Sequence, residues 1–189
     1  MILRKSNKGE KLTTLDGKTH TLPGGDIVIE DGEKRLIDLA GIMGGLNSAV
    51  EEKTKNVLLF VQIYNPVNIR KTSMGLAQRT EAAMLFEKGI DPELVEAATL
   101  KGIELFEKVT EGKAEKEILD LYPIPYKTKK INCDINFINQ KLGLNISRAT
   151  VLKILNSLGF DILGKGKSLE IFVPSFRTND INLPEDIVE

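Results

Sequence analysis

Residues 79–92 read Arg-Thr-Glu-Ala-Ala-Met-Leu-Phe-Glu-Lys-Gly-Ile-Asp-Pro and carry the clearest helix signals of the chain. Thr80 is placed to cap a helix, because a threonine oxygen can accept a hydrogen bond from the N–H groups of a first helical turn. Gly89 marks the end of this helix. Asp91 and Pro92 then predict a second helix, with aspartate as its cap and proline at the first helical position.

The residues before this helix pair have the alternating pattern of β-strands. Four alternating runs predict two hairpins, one turning at Asp16-Gly17 and the other at Asp31-Gly32. These runs are 11–15, 18–22, 26–30 and 35–40. The apolar run 57–61, inside residues 55–64, predicts a further strand that is buried on both faces.

The residues after the second helix predict a smaller domain. Pro123 and Pro125 follow a short predicted strand and mark a boundary. Beyond them we expect a strand at 131–135, helices at 137–142 and 147–158, and a two-stranded ribbon at 160–163 and 169–173. Helices followed by a hairpin outline a winged-helix-like unit. We therefore predict an α+β protein, in which a mixed-sheet domain at 1–122 precedes a winged-helix-like domain at 127–189, truncated at its C-terminus.

The composition is that of an ordinary globular protein. Of the 189 residues, 41% are hydrophobic and 28% are charged, and the net charge of −1 argues against nucleic-acid binding through overall basicity. The single cysteine excludes an internal disulfide and a multi-cysteine zinc site. No signal peptide and no membrane span are visible, so we expect a soluble, cytoplasmic protein and no membrane partner.

Three features have an ordinary structural interpretation beside a functional one. The glycine-rich residues 41–45 lack the pattern of a phosphate-binding loop, which leaves a tight turn or a backbone wall that admits a ligand. His20 lies in a predicted hairpin, where we expect it to be exposed to solvent. Cys133 lies in a predicted strand, where we expect a core residue.

Two charged clusters also leave alternatives open. Lys127, Lys129 and Lys130 fit a solvated linker or a phosphate contact.

The second cluster is acidic and consists of Asp180, Asp186 and Glu189. Asp186 and Glu189 are three residues apart at a predicted helix start, which fits either helix capping or a magnesium site.

Seven motifs occur in one order along nearly the whole chain. They include Leu-Ala-Gly-Ile-Met-Gly-Gly-Leu-Asn-Ser at 39–48 and Val-Pro-Ser-Phe-Arg at 173–177. The others lie at 9–17, 26–32, 56–59, 79–92 and 158–160. Together they resemble the bacterial-type phenylalanyl-tRNA synthetase beta subunit, from its B3/B4 editing region into its B5 domain. Because that subunit is several times longer, we expect this chain to be a piece of a larger protein.

The resemblance implies a subunit of an α₂β₂ tetramer that uses ATP and Mg²⁺ to attach phenylalanine to tRNA-Phe. The synthetic site of that enzyme lies in the alpha subunit, so this piece is not expected to aminoacylate by itself. The region up to about residue 120 would hydrolyse tyrosyl-tRNA made by mistake. An apolar pocket rejects a substrate with one added hydroxyl only about a hundredfold, so a second site must recognise that hydroxyl.

The resemblance also assigns residues to the editing pocket. Gly41 and Gly44 would form its backbone wall, and Thr80 would hold a water or the aminoacyl ester beside Ala82. Where the family typically has a glutamate that recognises the tyrosine hydroxyl, this chain has Phe60.

Further departures bear on the same pocket. Ala83 stands where serine is common, and the family's histidine lies in a motif upstream of Met1. We predict that editing is weakened or differently built, with Gln62 on the same strand face as Phe60 as a partial substitute.

In the B5 domain, Asp180, Asp186 and Glu189 fall on positions that the family uses as magnesium ligands. The next ligand would be residue 190, so we expect an incomplete site. The alternative to an editing enzyme is a non-catalytic scaffold that holds the synthetase heterotetramer together and contacts RNA. A winged-helix transcription factor is a third interpretation, weakened by the lack of a basic recognition helix.

Overall fold

The computed structural model describes residues 1–189 and contains nine β-strands and six α-helices, which is the predicted α+β architecture. The chain divides into two compact units. The first comprises residues 1–90 and 94–114, and the second comprises residues 91–93 and 115–189. The predicted domain bounds 1–122 and 127–189 stay a prediction. None of the helices has the length and apolar character needed to span a lipid bilayer.

The first unit contains six strands in two sheets. They are β1 (Ile2–Lys5), β2 (Lys11–Thr13), β3 (Thr19–Thr21), β4 (Ile27–Glu30), β5 (Leu36–Leu39) and β6 (Met43–Gly44). Strands β2 and β3 form an antiparallel hairpin, and β1-β4-β5-β6 form an antiparallel sheet in that order. Both predicted hairpins are confirmed, because β2 pairs with β3 across Asp16-Gly17 and β4 pairs with β5 across Asp31-Gly32.

Three helices follow the sheet. They are α1 (Pro66–Gly75), α2 (Glu81–Phe86) and α3 (Leu94–Thr110). Thr80 caps α2 as predicted, because its side chain accepts a hydrogen bond from the backbone N–H of Ala83. The helix expected from Pro92 begins later, at Leu94, because Asp91 accepts a hydrogen bond from the N–H of Glu93 in a turn ahead of the helix.

Two predicted strands are absent from the structure. Residues 55–64 form no strand, and the apolar side chains of residues 57–60 lie at the surface, with Leu58 68% exposed. The sheet ends at β1 and β6 without pairing to this segment, and an apolar run becomes a strand only where another strand pairs with it. Leu59 instead packs against Gly102 of α3, where an added Cβ would lie 2.9 Å from its Cδ2 atom. The strand expected before Pro123 is also absent, and Leu119 is 82% exposed.

A buried carboxylate connects α1 to the strands of the first unit. Asp26 is 4% exposed, and its two oxygens accept hydrogen bonds from the hydroxyls of Thr72 on α1 (2.7 Å) and Ser6 (3.0 Å) after β1. The hydroxyl of Ser6 also accepts from the N–H of Asp26 at 3.1 Å. Each oxygen of the buried carboxylate therefore has a donor, as burial of a polar group requires.

A second polar contact connects the segment between α1 and α2 to the hairpin. The hydroxyl of Ser73 donates to the carbonyl of Gln78 at 2.6 Å. The Nε2 atom of Gln78 donates to Asp16 at 3.0 Å and lies 2.9 Å from Nε2 of His20. The prediction of an exposed His20 is wrong, since this contact leaves the ring half-buried.

The second unit has the winged-helix-like outline that the sequence predicts. Its elements are β7 (Lys130–Asp134), α4 (Ile135–Leu142), α5 (Arg148–Ser157), β8 (Asp161–Leu163), β9 (Ser168–Phe172) and α6 (Pro184–Val188). The predicted β8–β9 ribbon is confirmed and is joined by β7 to form a sheet in the order β7-β9-β8. Cys133 lies in the core, as predicted, with Leu169, Ile171 and Val173.

We predict that Thr72→Val lowers the free energy of unfolding by about 1–3 kcal/mol, because it leaves one oxygen of the buried Asp26 carboxylate without its donor. Urea unfolding of the chain measures the change. Thr110→Val is the control, because its hydroxyl donates to the backbone carbonyl of Phe106 and lies exposed at the end of α3, away from any buried carboxylate. Equal effects of the two substitutions would contradict the role given to Asp26.

Candidate functional site

The turn between β5 and β6 depends on a glycine that packs against an aromatic ring. Gly41 has a φ of +69°, which favours glycine. A Cβ at this position would lie 2.8 Å from Cδ2 of Tyr64 and 3.1 Å from Cδ1 of Ile69. Tyr64 is buried, and its ring meets the ring of Phe86 on α2 edge to face at 5.0 Å. The backbone of the turn therefore lies directly against the ring of Tyr64, which in turn contacts Phe86.

Thr80 connects this turn to the start of α2. Its hydroxyl donates to the carbonyl of Ile42 at 2.9 Å and accepts from the N–H of Ala83 at 3.1 Å. The single hydroxyl proton is thus used within the protein, and one lone pair on the oxygen stays free. The sequence predicted Thr80 at a pocket wall, and the structure adds that its hydrogen bond fixes the glycine turn to the start of α2.

The other residues predicted for the pocket are not all gathered here. Gln62 is near the turn, because its Oε1 atom accepts a hydrogen bond from the hydroxyl of Tyr64. Phe60 and Ala82 are exposed. The prediction that Phe60 and Gln62 share a strand face is wrong, since residues 55–64 form no strand in which side chains could alternate.

The sequence reasoning missed Asp38, which lies beside the turn. In the β5–β6 ladder Asp38 is directly opposite Gly44, and on its other side it pairs with Ile29 of β4. Its carboxylate is half-buried and has no hydrogen bond or ion pair within the protein. Its only signal in the sequence is a charged residue inside the apolar run 36–40. We call Asp38, Gly41, Gly44, Tyr64 and Thr80 the glycine-turn site.

The electrostatics of this site are set by burial. Loss of solvent raises the pKa of the Asp38 carboxyl from 3.8 to about 6. Burial also raises the pKa of the Tyr64 hydroxyl well above its ordinary value, and the nearby charge of Asp38 raises it further. Near neutral pH the site therefore holds one ionised carboxylate next to a neutral phenol.

The predicted magnesium ligands do not form one site. Asp180 pairs with Arg177 at 2.8 Å, and Glu189 is exposed. Asp186 accepts hydrogen bonds from the N–H groups of Asn182 (2.7 Å) and Leu183 (2.8 Å), which lower the pKa of its carboxyl. No group of three histidine, cysteine, aspartate or glutamate side chains is arranged to hold a metal ion. Within residues 1–189 these carboxylates form no complete magnesium site, their role as magnesium ligands stays a prediction, and Asp186 accepts hydrogen bonds at the start of α6.

Lys129 supplies the positive charge of this region. Its ammonium group donates to the carbonyl oxygens of Thr178 (2.8 Å) and Ile181 (3.1 Å) and to the side chain of Asn182 (2.5 Å). Its charge also helps to lower the pKa of Asp186. Lys129 is therefore a structural residue of the second unit, in contrast to both alternatives that the sequence left open for it.

We predict that Asp38→Asn stabilises the chain at neutral pH. The pKa of the Asp38 carboxyl is higher in the folded than in the unfolded state. The wild type is therefore most stable, relative to the variant, below about pH 4, where the carboxyl is protonated in both states. This stability is lost as the pH rises through about 6. The variant should gain about 1–2 kcal/mol relative to the wild type between pH 4 and 7.5, since solvent screens part of the effect. Urea unfolding across this range measures it. Glu33→Gln on the exposed turn is the control, and a difference for Asp38→Asn that does not vary with pH would refute the prediction.

We also predict that Gly41→Ala destabilises the first unit more than Gly17→Ala does. Both glycines have positive φ, +69° and +77°, so alanine adds similar backbone strain at each position. Only at Gly41 would the new methyl group meet the ring of Tyr64, whereas nothing lies within 4 Å at Gly17. The difference in unfolding free energy should be about 1–3 kcal/mol. Thermal unfolding of both variants measures it, and equal losses would show that the ring does not confine the turn.

Comparison with known proteins agrees with this division of the chain. Residues 1–111 match the B3/4 domain family, and residues 131–189 match the tRNA synthetase B5 domain family. Over 189 residues the chain is 36% identical to the phenylalanine–tRNA ligase beta subunit of Clostridium acetobutylicum and 38% identical to that of Clostridium tetani. It is 37% identical to the beta subunit of Carboxydothermus hydrogenoformans.

These alignments cover 100% of this chain but only 24%, 24% and 23% of the three relatives, so the chain spans about a quarter of their length. Both domain families occur in the same order as the two units, and the alignments extend over all 189 residues. The chain belongs to the phenylalanine–tRNA ligase beta-subunit family and carries a B3/4 domain followed by a tRNA synthetase B5 domain.

Proposed function

We propose that the first domain of this chain, residues 1–122, hydrolyses tyrosyl-tRNA that a phenylalanine–tRNA ligase has made by mistake. The whole protein would work with an alpha subunit in an α₂β₂ tetramer in the cytoplasm. There it would attach phenylalanine to tRNA-Phe with ATP and Mg²⁺. The chain itself would provide the hydrolytic site and, through its second domain at 127–189, part of the framework that holds the subunits and the tRNA.

The observation that carries this proposal is the hydrogen bond between Thr80 and the carbonyl of Ile42. It joins the start of α2 to the glycine turn in a B3/4 domain, which supports a site built from a backbone wall and a hydroxyl. With its proton donated to Ile42 and one lone pair taken by Ala83, the Thr80 oxygen can still accept a hydrogen bond from a water. Thr80 would therefore orient the turn and a water, and it would not donate to the ester.

The physical need for such a site comes from the similarity of tyrosine and phenylalanine. A synthetic pocket that fits phenylalanine excludes an added hydroxyl only weakly, whereas a site that forms a hydrogen bond with this hydroxyl separates the two by a much larger factor. In the hydrolysis, a water oxygen bonds to the acyl carbon and the ester bond to the tRNA breaks. The tRNA hydroxyl regains a proton, and tyrosine leaves as a carboxylate with a proton released to solvent.

A second candidate function is that of a non-catalytic scaffold for the synthetase. Phe60 favours it, because this side chain cannot accept a hydrogen bond and lies 37% exposed at the surface, outside the hydrogen-bonded part of the site. In that case both domains would only hold the tetramer together and contact RNA.

Hydrolysis of preformed tyrosyl-tRNA by the whole synthetase separates the two functions. We expect the wild type to release tyrosine faster than the spontaneous rate, and Thr80→Val to slow this about tenfold or more, because the turn and the water lose their hydroxyl. The control is Thr99→Val, which removes a hydroxyl that donates to the carbonyl of Val95 within α3. It should leave the rate unchanged.

Two results would overturn the editing proposal. Wild-type hydrolysis no faster than the spontaneous rate would favour the scaffold. Equal rates for Thr80→Val and the wild type would remove Thr80 from the site. Aminoacylation with phenylalanine, measured on the same preparations, verifies that the tetramer is assembled.

A further inference from the structure

The carboxylate of Asp38 differs from the other half-buried or buried carboxylates of the first unit because it lacks a donor. Asp26 accepts from Ser6 and Thr72, and the half-buried Glu30 accepts from Arg4. Asp38 accepts no hydrogen bond and forms no ion pair. Because a partly desolvated carboxylate without a donor is unfavourable, Asp38 is suited to a donor that arrives with a ligand.

On the β6 side of this carboxylate the partner strand contributes no side chain, and the neighbouring side chain is that of Leu15, which is 51% exposed. Cross-strand partners place their side chains on the same face of a sheet, and the partner of Asp38 on β6 is Gly44, which has none. A Cβ at Gly44 would meet only the side chain of Leu15 within 4 Å, its chain neighbours apart. The partner on β4 is Ile29, which is 1% exposed. A ligand group next to Asp38 therefore has an apolar surrounding and one acceptor.

The strand partners of Asp38 carry no charge, and Lys11, the charged residue of the neighbouring strand β2, forms no ion pair with it. Neither strand partner, Ile29 or Gly44, is titratable, and Tyr64 is the titratable group whose environment includes the Asp38 charge. The hydroxyl of Tyr64 donates its proton to Gln62 and so does not satisfy Asp38. No nearby cation contributes to the properties of the carboxyl, which are set by burial. A neutral donor on an apolar group fits this environment.

We propose that Asp38 is the specificity residue of the glycine-turn site, where its carboxylate accepts a hydrogen bond from the phenolic hydroxyl of a tyrosyl group. This inference rests on the proposed editing function and names the group that distinguishes its substrate. Asp38 takes no part in breaking the ester bond. Its contribution is binding, because tyrosine gives the carboxylate a donor that phenylalanine lacks.

The same arrangement would protect the correct product. A phenylalanyl group placed beside Asp38 would remove water from the carboxylate without replacing the lost hydrogen bonds. Binding of phenylalanyl-tRNA would then be penalised while binding of tyrosyl-tRNA is favoured. Asp38 would thus strengthen the binding of tyrosyl-tRNA and weaken the binding of phenylalanyl-tRNA.

The test compares single-turnover hydrolysis of preformed tyrosyl-tRNA and phenylalanyl-tRNA by the whole synthetase. We expect Asp38→Ala to slow hydrolysis of tyrosyl-tRNA about ten- to a hundredfold, the usual effect of a lost hydrogen bond to a charged group. Hydrolysis of phenylalanyl-tRNA should stay the same or become faster. Asp38→Asn keeps an acceptor oxygen and should lose less than Asp38→Ala. Glu33→Gln removes one exposed negative charge from the turn between β4 and β5 and should change neither rate.

The pH dependence gives a second readout that does not need the alanine variant to fold. The preference of the wild type for tyrosyl-tRNA should increase as the pH rises from 5 to 7.5, because the carboxylate is the stronger acceptor. Asp38→Asn should keep a preference that does not change with pH. If Asp38 had only a structural role, its replacement would change the hydrolysis rates of both substrates equally, and the wild-type preference for tyrosyl-tRNA would not vary with pH.

The outcomes separate this inference from the function on which it rests. If the wild type does not hydrolyse tyrosyl-tRNA, the editing proposal fails and the role of Asp38 fails with it. If the wild type hydrolyses tyrosyl-tRNA but the variants keep the same preference, editing stands and Asp38 is not the specificity residue. Equal slowing of both substrates by Asp38→Ala also overturns the inference.

Discussion

The buried carboxylate of Asp26 is the interaction on which the arrangement of the first unit depends. It accepts hydrogen bonds from a hydroxyl after β1 and from a hydroxyl on α1, so it fixes the helix to the sheet at a defined point. Helix α1 buries Ile69 and the two polar residues Thr72 and Ser73. Apolar contact is not directional, whereas these hydrogen bonds allow one orientation of the helix, and the position of α2 depends on that orientation.

The geometry of the candidate site depends on helices α1 and α2, whose position is fixed by this carboxylate. Because α2 follows α1 closely and contacts it, the cap residue Thr80 reaches the carbonyl of Ile42 in the glycine turn. The glycine turn also contacts Tyr64, and strand β5 places Asp38 opposite Gly44. A backbone wall, a hydroxyl and a carboxylate are thus positioned by the same few elements, and none of them depends on a long flexible loop.

The parts of the fold that local chemistry determines could be predicted from the sequence. The turns at Asp16-Gly17 and Asp31-Gly32 and the helix cap Thr80 each depend on residues close in the chain. The prediction of a strand at 57–61 was wrong, because a strand needs a partner that its own sequence does not reveal.

Two residues of the candidate site, Gly41 and Thr80, could be predicted from the sequence motifs. Asp38 could not, because its isolation from donors and its position beside Gly44 arise only from strand register. Lys129 was misjudged for the same reason, since its oxygen partners lie about fifty residues away.

The contact between Gln78, Asp16 and His20 has a consequence for the one histidine of the chain. A carboxylate only accepts hydrogen bonds, so Asp16 requires that the NH₂ end of the Gln78 amide faces it. The same nitrogen lies 2.9 Å from Nε2 of His20, and its second hydrogen therefore points to a ring nitrogen that must accept. The neutral imidazole then carries its proton on Nδ1. Asp16 thus selects the tautomer of His20 without forming a hydrogen bond to the ring. It acts through the Gln78 amide, because only one orientation of that amide satisfies both Asp16 and His20.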